Sequence, residues 1–200
     1  MKFFTLKLLV ISFMMLAASS AFASLGYNVS FDTSSLNGQD GFLYLQYGGF
    51  NAANSTATVS NFSTDGILAS GPSSNVVDGS AVTGQLPGKL VFANTNGTND
   101  YNHGINFGNK IDFSVLFASN DFAASPSGNS TFSLGLYSDE AGLNSLLGGT
   151  LLTVDLNNDG TTTVQSLAKE TSATPTPIPA AAWLLGSGLM GLVGVRRRKK

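Results

Sequence analysis

The chain has 200 residues, no cysteine and a formal net charge of −2. Without thiols, disulfides, cysteine nucleophiles and Cys-ligated metals are excluded, and stability must come from packing and backbone pairing. The small net charge hides a segregation, because residues 24–178 hold three lysines against twelve acids, roughly −9.

Such a body repels nucleic acid and anionic membrane surfaces, so nucleic acid is not an expected partner. The remaining cations, Lys2, Lys7 and the last five residues, sit in the two ends. At the first end, Lys2 and Lys7 precede an apolar run, Leu8 to Ala18, and an A-x-A site, Ala21-Phe22-Ala23. Charge, apolar core and small residues in that order predict a secretory signal peptide over residues 1–23, cleaved after Ala23. The apolar run is too short for a permanent span. The secretion machinery is therefore an expected partner. About 150 residues remain between the two ends, enough for one domain with a real core.

Residues 24–170 read as that domain. Tyr27, Val29 and Phe31 alternate with Asn28, Ser30 and Asp32, the period of a strand with one buried face. The same period marks Ile111–Phe117 and Phe132–Leu136. Further strand candidates are Gly41–Tyr47, Thr56–Phe62, Gly66–Ser70, Lys89–Asn94, Gly104–Phe107, Leu151–Leu156 and Thr161–Gln165. Turn clusters such as Ser34–Gly38, Leu86-Pro87-Gly88 and Ser125–Gly128 separate them. No long amphipathic helix interrupts the series. The expected fold class is all-β, an antiparallel, jelly-roll-like β-sandwich, with a barrel as the second choice. Phe42–Tyr47 is apolar on both faces, which predicts a central strand.

Few residues in the body could carry chemistry. His103 is the single histidine and lies among Asn and Gly, which predicts a loop position. No G-x-S-x-G elbow accompanies it, so a Ser-His-Asp triad is not indicated. Asp139 and Glu140 are adjacent, unlike a glycosidase pair that faces across a bond, and read as a solvated turn. Asp155, Asn157 and Asp159 with Gly160 match the first half of a calcium loop, D-x-N-x-D-G. Ser166 stands where the bidentate acid would be, and a hairpin through Asn-Asn-Asp-Gly accounts for the same residues. No cofactor is the primary expectation, with calcium at this loop as the alternative. Phe42, Tyr44 and Tyr47 could stack on sugars, although core packing is the commoner use of aromatics in an apolar strand.

Thr171 to Pro177 is rich in Thr and Pro and reads as a linker over residues 171–177. Beyond it, Ala180 to Val195 is an uncharged run, and Arg196, Arg197, Arg198, Lys199 and Lys200 close the chain. Five cations stop transfer and orient a span with its basic flank in the cytoplasm. Sixteen residues with four glycines make a marginal membrane helix, short of the ~20 usually needed.

Residues 178–200, introduced by Pro177 and comprising Ile178, Pro179, Ala180, Trp183, the apolar run and the basic end, resemble a PEP-CTERM sorting signal. Ile178 stands where the namesake motif has Glu. The resemblance implies recognition by exosortase, a membrane-embedded cysteine transpeptidase of exopolysaccharide-producing Gram-negative bacteria. The body, through Gly41–Tyr47, Ala57–Phe62, Gly84–Gly88, Asn99-Asp100-Tyr101 and Val154-Asp155-Leu156, is similar to small PEP-CTERM proteins of no known reaction. The expected protein is thus exported, transiently held in the inner membrane, and then sorted to the cell surface or matrix. Its expected role is structural or interactive, beside exopolysaccharide in a biofilm, and not enzymatic. The alternative is a carbohydrate-binding module, calcium-assisted.

Overall fold

The computed structural model describes residues 25–52, 54–72, 81–94, 97–119 and 128–176. Twelve strands and one 3-10 turn (Ser34–Leu36) make up the described chain. The strands are β1 (Leu25–Asp32), β2 (Asp40–Gly48), β3 (Ser55–Thr64), β4 (Ile67–Pro72), β5 (Val82–Gly84) and β6 (Leu90–Asn94). They continue with β7 (Thr98–Asn106), β8 (Lys110–Ser119), β9 (Ser130–Tyr137), β10 (Ser145–Leu156), β11 (Thr162–Ser166) and β12 (Thr171–Pro175). All ten expected strands coincide with observed ones. Among the described residues no helix is long and apolar enough to cross a membrane.

Two six-stranded sheets form, ordered β12-β1-β8-β3-β6-β5 and β11-β10-β9-β2-β7-β4. Every pairing is antiparallel. The sheets pack face to face as a β-sandwich. Period-two alternation explains why: Tyr27, Val29 and Phe31 are buried while Asn28 and Asp32 are exposed, and Ile111, Phe113, Val115 and Phe117 repeat the pattern on β8. β2 is central as expected, flanked by β7 and β9, with Leu43, Leu45 and Tyr47 fully buried.

Aromatic rings interlock across the gap between the sheets. Phe132 of β9 meets Phe92, Phe113 and Phe117 of the facing sheet at centroid separations of 6.3, 6.4 and 6.0 Å, all edge to face. Edge-to-face rings place a positive rim against a negative face, a gain beyond burial alone. One end of the core is closed by polar groups: the Tyr47 and Ser55 hydroxyls lie 2.6 Å apart, and Ser130 Oγ accepts from Asn94 Nδ2 at 2.7 Å. These contacts satisfy groups that would be costly if buried alone.

The segment Thr171–Pro175, expected as a free linker, is instead strand β12, registered on β1 from Phe31↔Thr171 to Tyr27↔Pro175. Its Ser and Thr side chains carry little apolar signal. What fixes it is the otherwise open edge of β1, whose backbone donors and acceptors take a partner. β5 also had no apolar signature, and β7 and β10 begin earlier than their alternation suggested. On β10 a register shift at residues 147–149 and a second before Leu152 turn the consecutive Leu151 and Leu152 both inward.

Phe132→Ala would remove the ring that three facing phenylalanines enclose. Urea denaturation should show a loss of about 3–5 kcal/mol, the cost typical of an emptied aromatic core site. A loss under about 1 kcal/mol, as surface substitutions give, would mean that the interlock is not central.

Candidate functional site

The candidate signal and sorting residues fall outside the described residues: Ala21 and Ala23, Pro177, Ile178, Pro179, Ala180 and Trp183, and Arg196 to Lys200. The other candidates are placed, and each occupies a distinct part of the sandwich.

Asp155, Asn157 and Asp159 lie on the β10–β11 hairpin. The turn closes through Asn157 N–H donating to Thr161 O at 2.9 Å and Gly160 N–H donating to Asn157 O at 3.0 Å. Gly160 takes φ +80, a value that suits glycine and explains why the turn ends there. The Asp155 carboxylate accepts from Thr131 Oγ1 at 2.6 Å. Asn157 donates to the Thr161 and Thr163 hydroxyls and accepts from Asn129. Asp159 holds the backbone N–H and hydroxyl of Thr161 at 2.9 and 2.6 Å. Asn157 and Asp159 therefore brace the hairpin, and Asp155 ties β10 to β9. Among the described residues no group of three or more His, Asp or Glu side chains is gathered.

His103 is not in a loop. It sits in β7, only 1 % exposed, on the inner face with Tyr101 and Ile105. Its Nε2 lies 3.1 Å from Ala69 O and its Nδ1 2.7 Å from the Tyr101 hydroxyl, which accepts Leu86 N–H at 2.9 Å. A carbonyl oxygen only accepts, so in the neutral ring Nε2 donates to Ala69 and Nδ1 accepts from Tyr101. Both nitrogens are thereby engaged, and the chain of bonds ties β7 to β4 and to the turn before β6. Burial pushes the Tyr101 hydroxyl above its ordinary pKa. The imidazole serves as a strut. Its Asn and Gly neighbours obscured this, because they interrupt the apolar alternation that otherwise runs from Tyr101 through His103 to Ile105.

The three aromatics of β2 divide between the faces. Tyr47 is fully buried in the core and is removed from any sugar-stacking role. Phe42 and Tyr44 point to the outer face, where Tyr44 meets Tyr137 edge to face at 4.7 Å. Gly135, opposite Tyr44 on β9, leaves the space that the Tyr137 ring covers: a Cβ there would lie 2.8 Å from it. The Tyr44 hydroxyl donates to Glu140 O, and Asn102 Nδ2 donates to the same hydroxyl at 2.6 Å and to Glu140 O at 2.7 Å. Burial, then the charge of Asp139, raises the Tyr44 pKa. Tyr44 therefore fastens the β9–β10 turn onto the sheet. Asn102 Oδ1 is buried there without a protein donor among the described residues.

Beside this cluster an open groove of about 540 Å³ runs between β2, β7 and β4, lined by Phe42, Ile67, Ala69, Gly104 and the Asp40–Asn106 pair. Sequence reasoning did not find it, since it forms only when three non-consecutive strands align. On the opposite sheet, Asn28, Ser30, Ser114, Ser172 and Thr174 present hydroxyls and amides around a smaller groove of about 200 Å³.

The acids are turn braces. Asp139 accepts the N–H groups of Leu143 and Asn144, as expected of a solvated turn. Asp65 accepts from Asn109 Nδ2 at 2.7 Å and from the backbone N–H groups of Asn109 and Lys110 at 2.8 and 2.9 Å. The Asn109 side chain, then the Lys110 N–H, holds the Asp65 carboxyl below its ordinary pKa. The Leu143 N–H does the same at Asp139, and the Thr161 hydroxyl at Asp159. No known protein family, curated protein or solved structure matches this chain.

A carboxyl with a lowered pKa stabilises the fold fully above the unfolded value near 4, and that contribution is lost as pH falls through the folded value. The thermal midpoint should therefore decline as pH drops below about 4. Asp65→Asn should lower the midpoint at neutral pH and flatten its acid decline, read by calorimetry across that range. An unchanged acid slope would show that Asp65 does not carry the effect.

Proposed function

We propose that this chain is an exported, non-enzymatic surface or matrix protein, sorted by exosortase through residues 178–200. Two lines support the reading. In sequence, the A-x-A site, the Pro177-Ile178-Pro179 motif, the apolar run and the five terminal cations follow the order that export and sorting require. In structure, the observation that favours a non-catalytic body is the engagement of both His103 nitrogens by Tyr101 and Ala69. The interleaved order β1-β8-β3-β6 over β2-β7-β4 supports a jelly-roll-like reading, from which β5 departs by pairing with β6, and β9 to β12 lie at the flanks. Jelly rolls are frequent among capsid and lectin domains, an analogy of fold and not of site. The hydroxyl- and amide-rich outer face suits contact with a hydrated polysaccharide.

Fractionating cells with and without exosortase tests this, with an epitope inserted between residues 125 and 128 and intact masses recorded. The expected result is a form ending near Pro179, outside the inner membrane, only when the enzyme is present. A full-length chain in both strains would overturn the sorting reading.

The groove beside Phe42 favours a second reading, carbohydrate binding, because a ring flanked by the Asp40 and Asn106 side chains combines a stacking face with hydrogen-bonding groups. Phe42→Ala should then abolish retention on exopolysaccharide while the thermal midpoint falls little. Retention equal to the unaltered protein would remove that reading.

A further inference from the structure

Both ends of the folded domain leave the sandwich at one corner. β1 begins at Leu25 and β12 ends at Pro175, and the two are antiparallel neighbours with Tyr27 opposite Pro175. Thr176 N–H adds a last bond to Gly26 O at 2.8 Å. In sequence, Leu25 is two residues from the expected signal cleavage, and Thr176 four residues from the apolar run at Ala180. Four peptide steps reach at most about 14 Å. The slack that a free linker would have given is absorbed into β12.

The same end gathers the last residue of β2, the first of β3, the last of β6 and the first of β9. Ser55 and Ser130 hydroxyls meet there at 3.1 Å, and Gly49 N–H donates to Gly97 O at 3.1 Å. Phe50, in the β2–β3 connection, is 71 % exposed at this end. None of the body's three lysines is near it. Lys110 is registered with Asp32 at the far end of β1, Lys169 precedes β12 at that far end, and Lys89 precedes β6, whose near end is Asn94. The ten residues of β8 separate the two ends by about 33 Å.

We propose that the end carrying Leu25, Phe50 and Thr176 rests on the bilayer surface while the chain is anchored, with the Phe50 ring at headgroup level. This rests on the reading of residues 180–195 as a membrane segment. A tether of about 14 Å keeps this end at the interface, and an exposed phenyl ring gains by entering it. With no lysine at that end to hold anionic headgroups, and with Asp159 in the β10–β11 turn on the same side, the contact is apolar and tether-held, and on a bilayer without net charge it does not depend on salt. The far end, with Lys110, Lys169 and the mouth of the Phe42 groove beside Asp40, then faces away from the cell.

The absence of cysteine makes single-site labelling direct. The exported chain, Ser24–Lys200, is reconstituted into phosphatidylcholine vesicles with nitroxide-labelled headgroups, carrying a fluorophore at Asn54→Cys or at Lys169→Cys. The Asn54 label should be quenched several-fold more strongly than the Lys169 label. Raising salt from about 0.1 M to about 1 M, which cuts the screening length from about 10 Å to about 3 Å, should leave this unchanged. Phe50→Ala should weaken the quenching at Asn54 with no change in the thermal midpoint. Equal quenching at both positions in chains that float with the vesicles would overturn the proposed orientation alone. Chains that do not float would sink the membrane reading and the orientation with it.

Discussion

The sandwich depends on the insertion of Phe132 among Phe92, Phe113 and Phe117. A chain with no disulfide has only burial and backbone pairing to resist unfolding, and these four rings are buried between the sheets. Their position also sets register. A one-residue slip of β9 would turn Phe132, Leu134 and Leu136 to solvent, so the core selects one pairing of β9 with β2 and β10.

Polar groups complete the closure where apolar ones stop. The Tyr47–Ser55–Ser130–Asn94 set seals one end, and the Leu86–Tyr101–His103–Ala69 chain joins β7 to β4 and to the β5–β6 turn. Each of these groups would cost free energy if buried without a partner. Their engagement explains why residues that look reactive in isolation, the single histidine above all, serve architecture. What remains available to a partner is surface: hydroxyls and amides on one sheet, and a ring-flanked groove on the other.

Placement of the ends gives that surface a direction. Because β12 pairs with β1, entry and exit are neighbours, and a membrane segment after Thr176 would hold one end of the sandwich down while leaving the groove mouth outward. Thr176 is bonded to Gly26, so folded structure extends to the last described residue.

Strand existence was legible because alternation in segments such as Tyr27–Phe31 and Ile111–Phe117 reflects a local rule, one face wet and one dry. The hairpin at Asn157–Gly160 was legible for the same reason, since turn chemistry is local. The sequence by itself thus determined the all-β class, most strands, the central place of β2 and the absence of covalent staples. Only the tertiary structure decided that Thr171–Pro175 is an edge strand, that His103 is a buried strut, that Tyr47 is core while Phe42 is surface, and that a groove opens beside it. Each of those depends on which distant strand supplies the missing neighbour: β1 for β12, Tyr101 and Ala69 for the imidazole, β4 and β7 for the groove. No pattern within a single segment carries that information, because long-range pairing is chosen by the burial of the whole core.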